Sequence, residues 1–344
     1  LYTSGTTGAY KKVFLKGGCE IERNAVRARA MNFHHDSVHH GINYGLWTGA
    51  GFKQPAALWQ IGGTIVVDDR LEQFDHFFEH GITSAAVLPP MVKILLDRQT
   101  ATGAPSALGQ VEFGLMSGFI SLELAELAVR RLTRNFIIRY SATELIDIPL
   151  QSRFRSADDL HWLSTMEGCT VQIVNENGVE CGADEEGELR IPLTNVDCDS
   201  YLGDAETSAN VFRDGCFYPG DLAVKRADGR IRILGRTSDV LNVQGQKIAV
   251  APLEQQIRDR LRASEVCLFS GLSDAGREEL IIAVEADHEP PRAVMDRIMK
   301  EFSAFDTVRC ITLKSFPRTA AGTRKIKRAA LRQFVFAKSG AGVP

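Results

Sequence analysis

The stretch YTSGTTGAYKK, residues 2–12, sets the hydroxyls of Thr3, Ser4, Thr6 and Thr7 among Gly5 and Gly8, just ahead of Lys11 and Lys12. Hydroxyl donors, backbone amides unshielded by bulk and a trailing positive charge are what a loop needs to wrap phosphate oxygens. The spacing is not that of a Walker A loop, G-x-x-x-x-G-K-[ST], because Gly5 and Gly8 are three apart and no hydroxyl residue follows Lys11. Local composition leaves two readings open, another kind of phosphate loop or a polar turn. A second cluster, HHDSVHHG at residues 34–41, has histidines spaced to share a face as metal ligands do, but no cysteine or acidic set completes a zinc site.

Such groups need a scaffold, and 344 residues are enough for two or three domains. With 43 acidic and 40 basic residues the net charge is near −3, too small a field to point to nucleic acid or a membrane surface. A small molecule is the default partner. No apolar run reaches the 18 residues of a membrane span, and the start lacks the layout of a signal peptide. The seven cysteines, at 19, 169, 181, 198, 216, 267 and 310, include no C-x-x-C pair and do not read as a disulfide framework. A reducing, cytoplasmic setting is expected. The chain starts at Leu1, with no strand ahead of the glycine-rich loop, and is expected to be part of a longer protein.

The fold class expected is α/β. Residues 1–150 alternate apolar strands (64–69, 83–90, 111–118 and 136–141) with amphipathic helices such as 120–132, the pattern of a partly parallel sheet. From Cys169 the texture turns to β runs split by Asn-Gly and Asp-Gly turns, so residues 151–236 form a β-rich subdomain. Past GRTSD, residues 237–338 read as a small α+β domain with helices at 252–262 and 291–303 and a basic C-terminal helix, and 339–344 as a tail.

Five stretches, taken in order, resemble the motifs of the adenylate-forming, or AMP-binding, superfamily in its acyl-CoA synthetase form. They are YTSGTTGAYKK, YSATE at 140–144, YPGD at 218–221, GRTSDVLNVQGQKI at 235–248 and PRTAAGTRKIKRAALR at 317–332. The resemblance covers essentially the whole chain and implies that the upstream part of the large domain lies outside it. It implies residues 1–236 as the C-terminal portion of that large domain and 237–338 as the small mobile one.

The resemblance implies that the opening loop holds the ATP phosphates through Thr3, Ser4, Gly5, Thr6, Thr7, Gly8 and Lys11, together with Thr143. Glu144 becomes a magnesium ligand, a hard oxygen suited to magnesium on phosphates. Gly118, Tyr140, Ser141 and Ala142 line the adenine and acyl pocket, and one of the histidines at 34–41 or Trp47 touches the acyl group. Asp221 and Arg236 take the ribose hydroxyls, an acidic group being the natural acceptor for a vicinal diol. Ser238 stands at the hinge and Lys325 is the catalytic lysine, bridging the acyl carboxylate and the α-phosphate.

The chain departs from the motif at several places. Tyr10-Lys11-Lys12 replaces Pro-Lys-Gly, Ser117 and Ser141 stand where glycines are usual, Ser238 replaces Asp or Lys, and the last motif carries two extra residues before Lys325. The implied reaction joins a carboxylate to ATP with release of pyrophosphate, then passes the acyl group to a thiol. ATP, magnesium and CoA are the implied cofactors, with the pantetheine of an acyl carrier protein as the alternative acceptor. A catalytically degenerate nucleotide-binding protein is the rival reading. The chain on its own is expected to have little ligase activity, and neither the carboxylate nor the oligomeric state is legible.

Overall fold

A computed structural model gives the fold, and it describes all residues except 5–9, 42–44, 68–76, 78–79, 103–110, 117–119, 244–245, 273–277, 304, 306, 319–325 and 340–344. Its contacts divide the chain into two units, Leu1–Ile233 and Leu234–Pro344.

The first unit opens on a hairpin, β1 (Tyr2–Ser4) against β2 (Tyr10–Lys12), in which Thr3 lies opposite Lys11. Next come α1 (Glu20–Ala30), β3 (Val38–Gly41), α2 (Gly49–Gln60) and β4 (Thr64–Val67). They are followed by β5 (Ser84–Val87), α3 (Pro89–Thr102), β6 (Glu112–Met116), α4 (Leu122–Arg131) and β7 (Asn135–Tyr140). Then β8 (Leu150–Arg153) and β9 (Ser164–Thr165) complete a sheet of order β4-β3-β5-β6-β7-β8-β9. The first five of these run parallel, β8 pairs antiparallel with β7, and β9 pairs antiparallel with β8. Strands β5 to β7 are buried on both faces, which is why they read as continuous apolar runs rather than alternating ones.

Residues 83–90, expected as one strand, are strand only to Val87, and α3 starts at Pro89. Proline lacks the N–H that a first helical turn leaves unpaired and has the helical φ built in, so the Pro-Pro pair opens a helix. Ser121 caps α4, its hydroxyl accepting from the Leu124 amide at 3.2 Å.

A second sheet is built from β10 (Gln172–Val174), β11 (Glu186–Pro192), β12 (Phe212–Arg213), β13 (Cys216–Phe217), β14 (Asp221–Lys225) and β15 (Ile231–Arg236). A short helix, α5 (Ala205–Val211), leads into β12, and Asp204 caps it by accepting from the Thr207 amide. The bridge between Leu163 and Ile231 joins the two sheets, and one apolar cluster from Phe77 to Ile231 runs through both.

The second unit takes in the end of β15 from Leu234 and continues with the hairpin β16 (Val240–Val243) and β17 (Gln246–Ala249), followed by α6 (Val250–Leu261). Then come β18 (Glu265–Leu272), β19 (Glu278–Glu285), α7 (Arg292–Glu301), β20 (Thr307–Leu313) and α8 (Arg328–Ser339). Central strand β19 pairs antiparallel with β18 and parallel with β20. Its side chains alternate: Leu280, Ile282 and Val284 pack with Ile257 and Ile298 of α6 and α7, while Ile281 and Ala283 pack with Leu331 and Val335 of α8. All seven cysteines are free thiols, and among the described residues no helix is long and apolar enough to cross a membrane.

Candidate functional site

In open α/β sheets ligands bind beyond the carboxyl ends of the parallel strands, and β7 delivers YSATE there. Tyr140, its last residue, donates from its hydroxyl to Oδ2 of Asp221 at 2.5 Å. Asp221 is the first residue of β14 and only 6% exposed. Two motifs 81 positions apart therefore share a hydrogen bond between the two sheets. Ser141 is exposed and Ala142 half-buried against the core, directly after the strand.

Thr143 lies against the first turn of α2. A Cβ on Gly49 would sit 2.6 Å from Thr143 Oγ1, well inside contact distance, so the glycine makes the approach possible. Gly49→Ala in the full-length protein is expected to shift Thr143 and lower stability, an overpacking cost of about 1–3 kcal/mol. In a Thr143→Ala background the same change should cost little, and a double-mutant cycle on unfolding free energy measures the difference. Additive effects would place the glycine's role elsewhere.

Glu144 is buried and its Oε1 accepts from the Tyr201 hydroxyl at 2.6 Å. The backbone around it is held carbonyl by carbonyl. Lys53 Nζ, from α2, donates to the carbonyls of Thr143 at 2.5 Å and Leu145 at 2.9 Å. The Cys198 amide donates to the Glu144 carbonyl at 3.1 Å, and Arg27 of α1 reaches the Ile146 carbonyl at 3.2 Å. Asp197 accepts from the Ile146 amide at 2.7 Å. Each buried cation thus meets oxygens that offset its desolvation.

That desolvation, with Arg27 close by, pushes the Lys53 ammonium down to about 7, against the pull of Glu144 and Asp197. Burial also lowers Arg27, to about 10. The linkage has a definite sign: unfolded, Lys53 keeps its proton up to about 10.5, and folded only to about 7. Between these values the unfolded chain binds more protons, so this group makes stability rise with pH, by at most about 1.4 kcal/mol per unit. Denaturant unfolding across that window should show wild type gaining on Lys53→Met as pH rises. A constant difference at every pH would contradict the assignment.

The opening hairpin comes to the same place. Lys11 Nζ stands 4.9 Å over the Tyr201 ring, and the Leu202 amide donates to the Lys12 carbonyl at 2.8 Å. Thr3 faces Lys11 across the hairpin. Gly5, Thr6, Thr7, Gly8, Gly118 and Lys325 lie outside the described residues, and Ser4 is described in its backbone alone. Arg236 ends β15 in the second unit, and exposed Ser238 donates to Asp239 Oδ1 at 3.3 Å.

The histidine segment differs from its expectation. Residues 38–41 are strand β3, in which His39 and His40 are buried. His39 bonds Ser84 Oγ at 2.8 Å and Gln54 Oε1 at 3.2 Å, and burial pushes it down to about 3, so it is a neutral core group. His40 stacks edge-on against Phe77. Among the described residues no group of three or more His, Cys, Asp and Glu could hold a metal ion, so a cation at Glu144 would need most of its ligands from elsewhere. A magnesium ion carried on phosphates meets that condition, since it commonly takes one or two carboxylates and keeps phosphate oxygens and water. Tyr201, Lys53 and Arg27 were not singled out from the sequence, where Tyr201 stands 57 positions from Glu144 in an unremarked loop.

No protein-family model matches the chain. It is 24% identical over 356 residues to the indoleacetate–CoA ligase of Aromatoleum aromaticum, covering 98% of this chain and 67% of that protein. It is 28% identical over 177 residues to the propionate–CoA ligase of Escherichia coli, covering 46% of this chain and 28% of that protein. Among solved structures, an anthranilate CoA ligase in complex with anthranoyl-AMP superposes with a TM-score of 0.79 at 18% identity, over 99% of this chain and 67% of its own. The o-succinylbenzoate CoA synthetase of Bacillus subtilis in complex with AMP gives 0.78 at 20% identity, over 96% and 68%. The chain spans about two thirds of the first relative and of both structures, and less than a third of the propionate enzyme. It has the fold of the adenylate-forming ligases, and its curated relatives include CoA ligases.

Proposed function

We propose that the protein containing this chain is an ATP-dependent acyl-adenylate-forming ligase that activates a small-molecule carboxylate and transfers the acyl group to CoA. The observation that carries the reading is the meeting of three motif segments in the first unit. Tyr140 bonds Asp221, and Tyr201 touches both Glu144 and Lys11.

Each contact suits one part of the nucleotide. Asp221 would accept from the ribose diol, with Tyr140 as a neighbouring aromatic surface for adenine. Thr143 and Lys11 would donate to phosphate oxygens, as would Thr3 and the loop of Ser4 to Gly8. Glu144 would hold magnesium, which when bound offsets negative charge on the phosphates. Ser141, Ala142 and Gly118 belong to the proposed pocket wall, Arg236 is a second proposed ribose contact, Ser238 the proposed hinge and Lys325 the proposed catalytic lysine.

The chemistry is an in-line displacement. A carboxylate oxygen attacks the α-phosphorus, the bond to the bridging oxygen breaks, and pyrophosphate leaves with its electron pair. Thiolate attack on the acyl carbon of the mixed anhydride then releases AMP. Aligned attack and charge neutralisation account for such a rate gain without covalent participation by the protein. The CoA-ligase names of the relatives support CoA as acceptor. A carboxylate panel in a pyrophosphate-release assay on the full-length protein, followed by CoA and carrier protein as acceptors, tests the reading. ATP binding with no pyrophosphate release for any acid would favour a nucleotide-binding protein without ligase activity.

A further inference from the structure

We propose that Tyr201 is a positioning residue that couples Lys11 of the opening hairpin to Glu144, so that the phosphate-binding and magnesium-binding groups are set as one unit. This rests on the function proposed above. The tyrosine uses its two ends differently. Its hydroxyl donates to Glu144 Oε1 at 2.6 Å, and its ring face lies 4.9 Å under Lys11 Nζ. A bond from a neutral donor orients a carboxylate without neutralising it, and a π face holds an ammonium without taking a proton or a full charge from it.

Tyr201 is itself fixed. It is 6% exposed, its amide donates to Ser208 Oγ at 2.8 Å, and Phe212 packs edge-on at 5.2 Å. Its backbone bridges to Val13, one residue beyond β2, and Leu202 bonds the Lys12 carbonyl, so the hairpin carrying Lys11 is tied to the same spot. On the other side, Cys198 holds the Glu144 carbonyl from three residues before Tyr201. One short stretch, 198–202, therefore anchors both partners by backbone and by side chain. The sequence offers no spacing rule for this, because the tyrosine lies far from both groups along the chain.

The experiment measures ATP binding by titration calorimetry on the full-length protein, with no carboxylate present, across a magnesium series and in EDTA. Tyr201→Phe keeps the ring and loses the hydroxyl. Losing a hydrogen bond to a charged group should raise the half-saturating magnesium concentration about tenfold, with affinity for metal-free ATP within about twofold of wild type. Tyr201→Leu loses the ring as well, and metal-free affinity should fall a further threefold or so, as expected for a lost cation–π contact. Adding Lys11→Met to Tyr201→Leu should then cost little more. If Tyr201→Leu fails to fold, Tyr201→Phe alone decides. Unchanged magnesium dependence in Tyr201→Phe, while wild type still makes AMP and pyrophosphate, overturns the coupling and leaves the proposed function standing. A wild-type protein that binds no ATP overturns both.

Discussion

Asp221→Ala in the full-length protein should raise the ATP concentration needed for half-maximal pyrophosphate release by about ten- to hundredfold, the 1.5–3 kcal/mol that a hydrogen bond to a charged group contributes. The carboxylate is buried and stands at the first position of β14, so its position is set by the sheet rather than by a mobile turn. Because Tyr140 donates to it, the substitution also removes a tie between two strands. Tyr140→Phe separates the two effects: it breaks the same tie and leaves the carboxylate. Ribose binding predicts a small change for Tyr140→Phe and a large one for Asp221→Ala. Equal losses in both, matched by equal losses of stability, would make Asp221 a structural acceptor.

Lys325→Ala carries the largest expected effect. Removing a preorganised positive charge from the developing charge at the α-phosphate should slow acyl-adenylate formation by about 100-fold or more. Thioester formation from supplied acyl-AMP should persist, because the lysine is assigned to the first half-reaction alone. Lys327→Ala should do far less; Lys327 is exposed and its amide bonds the Pro317 carbonyl at 2.8 Å. The residues flanking the motif are firmly held. Arg318 pairs with Glu285 at 2.6 Å, and Arg328 pairs with Glu254 at 2.5 Å. These pairs flank the motif in sequence, and a backbone bridge joins Arg318 to Ile326. A variant that adenylates normally, or that loses both half-reactions equally while staying folded, would sink the assignment.

The legible parts of this chain were those written in contiguous residues. Four of the five parallel strands announced themselves as short apolar runs, and β7 fell at 135–140 against an expected 136–141, while β3, VHHG, was not read as a strand. The helix at 120–132 appeared as Leu122–Arg131 because its apolar residues recur at helical spacing. Elements with mixed signals were missed. Helix α2 carries Pro55 in its interior, and α1 buries Arg23, Asn24 and Arg27, so neither shows a clean apolar stripe. The same misreading hid the site's support. A lysine and an arginine on helices without a clean apolar stripe look solvated until the fold shows them meeting the carbonyls of residues 143, 145 and 146. The crowding of four histidines in eight residues hid a strand: the spacing raised metal ligation only to set it aside, and it did not announce that His39 and His40 are buried in β3.

The central claim is that a carboxylate is activated on the α-phosphate of ATP. The most direct test supplies the full-length protein with ATP, CoA and an accepted carboxylic acid labelled with oxygen-18 in both carboxylate oxygens. Attack by a carboxylate oxygen on the α-phosphorus, followed by thiol attack on the acyl carbon, leaves one labelled oxygen on the phosphate of AMP, visible by mass spectrometry. Labelled AMP with unlabelled pyrophosphate is the predicted outcome. ADP as the nucleotide product with the label in inorganic phosphate would contradict it, because the acid would then have been activated on the γ-phosphate.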